Sequence, residues 1–322
     1  MAFINLEWKE GHILARDEYF FRYEHQNDKQ VNFVVARDET SNDIVGILGF
    51  IRYNFQNNSD VSTVIWKVIN DSNNPLLGIQ LLNFLQKEVW IRTLFSIGIN
   101  YKTKGIYNYL GMYTNKLSHF VIVNSNLNEY KIAHIDNLKT KTNLVNLIAD
   151  KKNVKIIKDV NELGKFEFEK FQIFIPYKSI EYFLKRYFAH PIYKYEVYGV
   201  YHEHEIETLF VLRVDSYNES RVVRVVDFLG LEKNIRLIAK FLTILILEEN
   251  FEYADFYCFG LDEDNLKESG FQLLESCNDE LIIPNYFNPF VNKNIPIHFF
   301  ANTQDTHLLR FFKADGDQDR PS

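Results

Sequence analysis

The feature that most constrains this chain is an internal repeat of domain length. Glu181-Tyr182-Phe183-Leu184-Lys185-Arg186-Tyr187-Phe188-Ala189-His190 echoes Glu18-Tyr19-Phe20-Phe21-Arg22-Tyr23-Glu24-His25, and Gly270-Phe271 falls 159 residues after Gly111-Met112. Between these anchors the periodicities run in the same order. The first half predicts a helix over 15–24, strands over 31–37, 44–53 and 61–69, a helix from Pro75 to about Val89, and a strand from Leu94 to Asn100. The second half predicts strands over 195–201, 207–214 and 221–229, a helix over 234–248 and a strand over 253–259. Shared order at a near-constant offset reads as two copies of one fold. The expected class is mixed α/β: two domains, each a largely antiparallel mixed sheet flanked by helices. We place them at 1–150 and 176–322, with 151–175 connecting them. A hairpin is expected from His119–Asn124 and Tyr130–His134, followed by a helical, Lys-rich piece over 139–150.

The two copies diverge in the turn that opens their central helix. In the first, Pro75 suits a first helical turn, where its missing N–H has no intrahelical partner, and Asn73 or Asn74 can cap. Leu77, Leu81, Phe84, Leu85 and Val89 form one apolar stripe. Such a turn presents unpaired N–H groups and a positive dipole end, which suits a phosphate. In the second copy the turn is Gly230-Leu231-Glu232-Lys233-Asn234, with an acidic residue. The residue four before the later glycine is Tyr107 in the first copy and Leu266 in the second. The amino-terminal copy keeps the features of a phosphate-ligand site.

These pieces resemble the GNAT acyltransferases. That family carries a pyrophosphate loop of the form Arg/Gln-x-x-Gly-x-Gly/Ala, a leucine pair, and later Tyr-x-x-x-Gly-Phe. This chain has Asn73-Asn74-Pro75-Leu76-Leu77-Gly78, then Leu81-Leu82, and Tyr107-Asn108-Tyr109-Leu110-Gly111-Met112. Gly78 matches the loop, whereas Asn73 and Leu76 depart from it. The resemblance implies acyl-CoA as co-substrate, with its pyrophosphate at the backbone of Asn73 to Ile79. It implies that the strand around Trp66, Lys67 and Val68 offers backbone groups to the pantetheine arm, with Asn100 near that arm. Trp66 is equally a core aromatic on sequence grounds, and Asn100 equally a plain cap. Tyr107 matches the tyrosine that protonates the departing CoA sulfur in many members, though the chain has many packing tyrosines. An amine acceptor must lose a proton, and His119 is the imidazole nearest the region where acceptors approach in that family. Asp227 and Asp255 lie in predicted strands of the second half and are alternatives. No Ser/His/Asp or Cys/His arrangement with recognisable context appears, so direct transfer is expected.

The last stretch, Phe311-Phe312-Lys313-Ala314-Asp315-Gly316-Asp317-Gln318-Asp319-Arg320, is similar to the closing motif of tandem-GNAT proteins of bacterial surface-polysaccharide synthesis. These include N-acyltransferases acting on dTDP-linked 3-amino-3,6-dideoxyhexoses. The resemblance implies a nucleotide-linked amino sugar as acceptor, an acetyl or 3-hydroxybutanoyl donor, and a role in O-antigen or lipopolysaccharide biosynthesis. Asp315, Asp317, Asp319 and Arg320 then read as acceptor-binding residues. The alternating Asp residues also resemble the start of an EF-hand loop, but its later Gly and Glu are missing, so no metal is expected. Two other readings stand beside this one: an aminoacyl transferase of the peptidoglycan-bridge type, and a GNAT-like binding protein without catalysis.

A formal charge of −7 leaves no basic excess to neutralise phosphates along a nucleic acid. Cys258 and Cys277 have no metal-like spacing. No charged segment followed by an apolar run opens the sequence, and the most apolar stretch, 237–247, contains Lys240 and is too short to span a bilayer. The expectation is a soluble cytoplasmic enzyme with no membrane partner.

Overall fold

The computed structural model describes all residues except 28–29, 55–57, 71–73, 137–152, 275–279 and 288. The expected Lys-rich helix over 139–150 therefore lies outside the described residues. The chain divides into two compact units. One comprises 1–114, 299–304 and 320–322; the other comprises 115–298 and 305–319.

In the first unit the elements follow the predicted order. Helix α1 (Glu18–His25) is capped by Asp17, whose carboxylate accepts from the Phe20 N–H at 2.9 Å. Strands β1 (Phe33–Arg37), β2 (Ile44–Arg52) and β3 (Ser59–Val68) form an antiparallel run. Helix α2 (Leu77–Glu88) buries Leu81 and Leu85 of the expected stripe together with Leu82, while Phe84 of that stripe is exposed. It leads to β4 (Ile91–Ile99), which is parallel to β3, then to the short helix α3 (Lys104–Tyr109) and to β5 (Tyr113–Lys116). The core gathers Leu48, Phe50 and Val61 of the sheet with the α2 leucines, Tyr107, Met112 and Phe300.

The second unit begins with β6 (Ser118–Val123) and β7 (Val154–Ile156). Its helix α4 (Ile180–Phe183) runs on as a π-turn over Leu184–Phe188. Strands β8 (Tyr195–His202), β9 (Glu205–Tyr217) and β10 (Ser220–Gly230) are again antiparallel. Helix α5 (Ile235–Glu248) buries Ile235, Ile238, Ala239, Leu242 and Ile246, an i, i+3, i+4, i+7 face. It leads to β11 (Tyr253–Phe259), parallel to β10, then α6 (Glu263–Glu268) and β12 (Gln272–Leu274). The chain closes with β13 (His298–Ala301) and β14 (Phe311–Phe312).

Each sheet is completed by a strand from the other half of the sequence. The first has the order β1-β2-β3-β4-β13-β5, and the second β7-β8-β9-β10-β11-β6-β12. Residues 115–136, which the sequence reading assigns to the amino-terminal half, thus fall in the second unit. The expected hairpin of His119–Asn124 with Tyr130–His134 does not form. Strand β6 pairs antiparallel with both β11 and β12, while His134–Ile135 pairs with Leu281–Ile282. A buried apolar strand with no paired neighbour in its own copy finds both edges satisfied in the other. Local periodicity carries no signal for that exchange.

Candidate donor wedge and imidazole cleft

In the first unit, β3 and β4 pair in parallel only from Ser59 and Ile91 to Ser62 and Phe95. The opposite edge of β3 is bulged, because Thr63 faces Phe50 and Trp66 faces Leu48, so Val64 and Ile65 together oppose Gly49. A bulge bends its strand and sharpens the local twist. Here it coincides with the end of the parallel ladder: Ser96 Oγ donates to the Thr63 carbonyl at 2.9 Å, and no further pairing joins the two strands. We call the stretch where Val64–Val68 and Ile97–Ile99 are no longer paired the wedge. Trp66, Lys67 and Val68 use their other edge to pair with Leu48, Ile47 and Gly46.

The start of α2 lies against this wedge. A Cβ added at Gly78 would meet the Trp66 indole, 3.4 Å from Nε1. The cap residue of α2, Leu76, supplies no side-chain acceptor; Asn74 Oδ1 instead accepts from the Leu76 N–H at 3.1 Å. Tyr107, on α3, stacks on Phe300 with ring centroids 4.2 Å apart and stands 6.1 Å from Trp66. Burial raises its pKa, against the pull of a hydrogen bond with the Thr103 side chain, so the phenol keeps its proton. Trp66, Gly78 and Tyr107 are therefore brought together. Ile79 follows Gly78 in the first turn of α2, and Asn73 lies outside the described residues. Asn100 is a cap, its Oδ1 accepting from the Lys102 N–H at 3.0 Å. Phe300, which packs on Tyr107 from nearly two hundred positions later in the sequence, has no local signal that could have marked it.

His119 belongs to the second unit. Its ring stacks on Tyr257 at 3.7 Å, and its Nε2 lies 3.2 Å from Asp255 Oδ2. Asp255 also accepts from Arg224 at 2.9 Å, and Arg224 reaches Asp215 at 2.7 Å and the Pro284 carbonyl at 2.7 Å. Burial alone would raise the Asp255 pKa, but the Arg224 guanidinium and the His119 bond outweigh it and hold it at about 2. Burial lowers the His119 pKa despite Asp255. The imidazole is thus neutral, with Nε2–H donating to an ionised carboxylate and Nδ1 left as the lone-pair nitrogen. His119 lines a cleft of about 290 Å³ with Lys116, Ser118, Tyr257, Asn294 and Ile295. Lys313, fully buried behind Tyr257, is brought down to about 7, by burial first and then by Arg224.

The closing motif occupies the interior of the second unit. Asp315 pairs with Lys178 at 2.8 Å. Asp319 pairs with Arg213 at 2.8 Å and Arg186 at 2.9 Å, and accepts from the Tyr195 hydroxyl at 2.9 Å. Both carboxylates are fully buried, whereas Asp317 is exposed. Arg320, in the first unit, meets Glu24 at 3.2 Å. The expectation that these residues bind an acceptor meets a different geometry: Asp315 and Asp319 are held by the unit's own cations. Asp227, the other strand carboxylate, is buried with Lys178 and the Tyr187 hydroxyl. Nothing in the sequence marks Lys178, Arg186 and Arg213, because a Lys or Arg among apolar residues looks the same whether it is buried or at the surface. Among the described residues, no group of three or more His, Cys, Asp or Glu could hold a metal ion, and no helix is long and apolar enough to cross a membrane.

No family model matches this chain, and no curated protein matches it. Solved structures do. A GCN5-related glucosamine N-acetyltransferase region in a fungal multi-domain β-N-acetylglucosaminidase aligns at 11% identity and TM-score 0.46, over 75% of this chain and 32% of that one. Saccharomyces cerevisiae N-myristoyltransferase with bound myristoyl-CoA aligns at 10% identity and TM-score 0.42, over 82% of this chain and 68% of that one. The same yeast enzyme with myristoyl-CoA and inhibitors aligns at 9% identity and TM-score 0.42, over 88% and 75%. The chain spans about a third of the length of the first of these.

Proposed function

We propose that the chain is an acyl-CoA-dependent N-acyltransferase whose donor site is the wedge of the first unit. The observation that carries this reading is the coincidence of bulge, splay and helix start around Trp66, Gly78 and Tyr107. A thin arm of alternating amides fits between two diverging strands, where backbone N–H and C=O groups lack a ladder partner. The first turn of α2 offers N–H groups and a positive dipole end for a pyrophosphate.

Direct transfer then asks little of side chains. The acceptor's neutral amine attacks the thioester carbonyl, the C–S bond breaks, the nitrogen loses a proton and the sulfur gains one. Tyr107, kept protonated by burial, is the acid for the thiolate. The amine's proton needs an acceptor, and His119 is an imidazole held neutral beside an ionised carboxylate. The acceptor we infer is a nucleotide-linked amino sugar, dTDP-3-amino-3,6-dideoxyhexose being the first choice, with an acetyl or 3-hydroxybutanoyl donor. That choice rests on the likeness of the closing motif. Incubating the chain with acetyl-CoA and a panel of dTDP- and UDP-linked amino sugars, read by mass, tests it. An N-acylated product from one of them is expected; free thiol release with no acylated sugar in the panel would reject the acceptor class.

A further inference from the structure

The second unit contains the same splayed pair, and it is already filled. Strands β10 and β11 pair in parallel only from Val223 and Ala254 to Val225 and Phe256. Val226 is the bulged residue, since Val225 faces Leu212 and Asp227 faces Val211. Beyond it Asp227–Gly230 part from Tyr257–Phe259, as the corresponding strands do in the first unit. One edge of β11 is taken by β6, and in the gap on its other edge β14 pairs antiparallel: Phe312 with Cys258, Phe311 with Phe259.

The occupant is fixed on both its apolar and its polar side. Phe311 and Phe312 are buried, and the Phe312 ring lies 5.8 Å from Phe256 at 7° and 6.1 Å from Phe228. Asp315 folds back to accept from the Phe312 N–H at 2.9 Å and holds Lys178, which also meets Asp227 from the bulged strand. The cavity left at this end, among Lys178, Phe228, Gly230 and Phe312, measures about 20 Å³. That is space for about one water molecule. A ligand arm entering here would have to expel two buried phenylalanines and strip Lys178 of one of its two carboxylates, leaving buried charge uncompensated.

We propose that Phe311–Asp315 is the resident occupant of the second wedge, so that each chain binds one acyl-CoA and the second copy has turned a donor site into a structural one. The count rests on the reading that the first wedge binds the donor; the occupancy does not. Calorimetric titration of the full chain with acetyl-CoA is expected to give one site per chain, abolished in Gly78→Asp. Two sites per chain would overturn the proposal and leave the donor reading standing. A second measurement is independent of CoA. With Cys277→Ser as background, Cys258, which faces Phe312 in the ladder, should react slowly with a thiol reagent. Phe312→Ala should raise that rate about tenfold or more by opening its cover. Should that variant not fold, Phe312→Leu, a smaller change, serves with a smaller expected increase. Unchanged labelling in a folded variant would overturn the occupancy. No CoA binding with labelling accelerated as expected would instead reject the donor reading and retain the occupant.

Discussion

Two buried side chains, Tyr107 and Asp255, each make a different prediction. Tyr107 is held by Phe300 on one face and by Thr103 at its hydroxyl. Its ring belongs to the core, and the proposed function assigns its oxygen to the departing sulfur. Tyr107→Phe keeps the ring, so turnover should fall by roughly 10²- to 10⁴-fold, the usual worth of general acid catalysis, while KM for acyl-CoA and the melting temperature change little. Near-native turnover with chemistry rate-limiting would reduce Tyr107 to packing. Asp255 makes a prediction about pH. Its pKa in the folded chain is about 2, below its ordinary 3.8, so its ionised form stabilises the fold at pH values above the ordinary pKa. That contribution is lost as the pH falls through about 2. Melting temperature followed downward from pH 6 should decline across the interval from about 4 to 2. Asp255→Asn should show a shallower decline there, and at neutral pH should lose about 3 kcal/mol because Arg224 keeps only Asp215 as a charged partner. An unchanged decline in that variant would assign it to other carboxylates.

At the scale of elements, the bulge in β3 explains why the sequence announced the strand but not the wedge. Alternation along Val61–Val68 was legible, and so were α2 and β4, whose ends the structure moves by only a few residues. The extra residue at Val64–Ile65 leaves no mark, because both remain apolar β-formers. Gly49, opposite the bulge, is the one residue there whose type reports the geometry. A Cβ at Gly49 would fall 2.8 Å from the Phe33 ring, closer than real contacts allow. Gly49→Ala should therefore force Phe33 aside, cost about 1 to 3 kcal/mol of stability, and weaken acyl-CoA binding through the misplaced strand. Thermal unfolding and a CoA titration of the same sample check both. A stable variant with weakened binding would separate the wedge's shape from the packing of the sheet. On the polar side, His119 and the Tyr-x-x-x-Gly motif could be named from sequence, whereas Asp255–Arg224 and the tail's ion pairs needed the fold, since their partners lie 31 to 296 positions apart.

At the scale of the whole molecule, the repeated order of elements was visible in the sequence and the exchange of strands was not. A copy read as residues 1–150 contains β6, which its own sheet does not use, and lacks β13, which that sheet inserts between β4 and β5. Without His298–Ala301 the edge of β4 would be bare, Asn302 would no longer donate to the Leu94 carbonyl, and Tyr107 would lose the ring of Phe300 from its face. Strand β6, with Phe120 and Val121 fully buried in the native chain, would meanwhile face water. An unpaired apolar strand and an unpaired sheet edge in one fragment are a template for aggregation. Fragment 1–150 expressed alone should therefore be insoluble or lack a cooperative unfolding transition, despite its domain-like length. Co-expressed with fragment 151–322, which carries β13 and needs β6 between β11 and β12, it should be recovered as a soluble complex of the two. A fragment 1–150 that is monomeric, cooperatively folded and able to bind acyl-CoA would show that the exchanged strand is dispensable to the donor wedge.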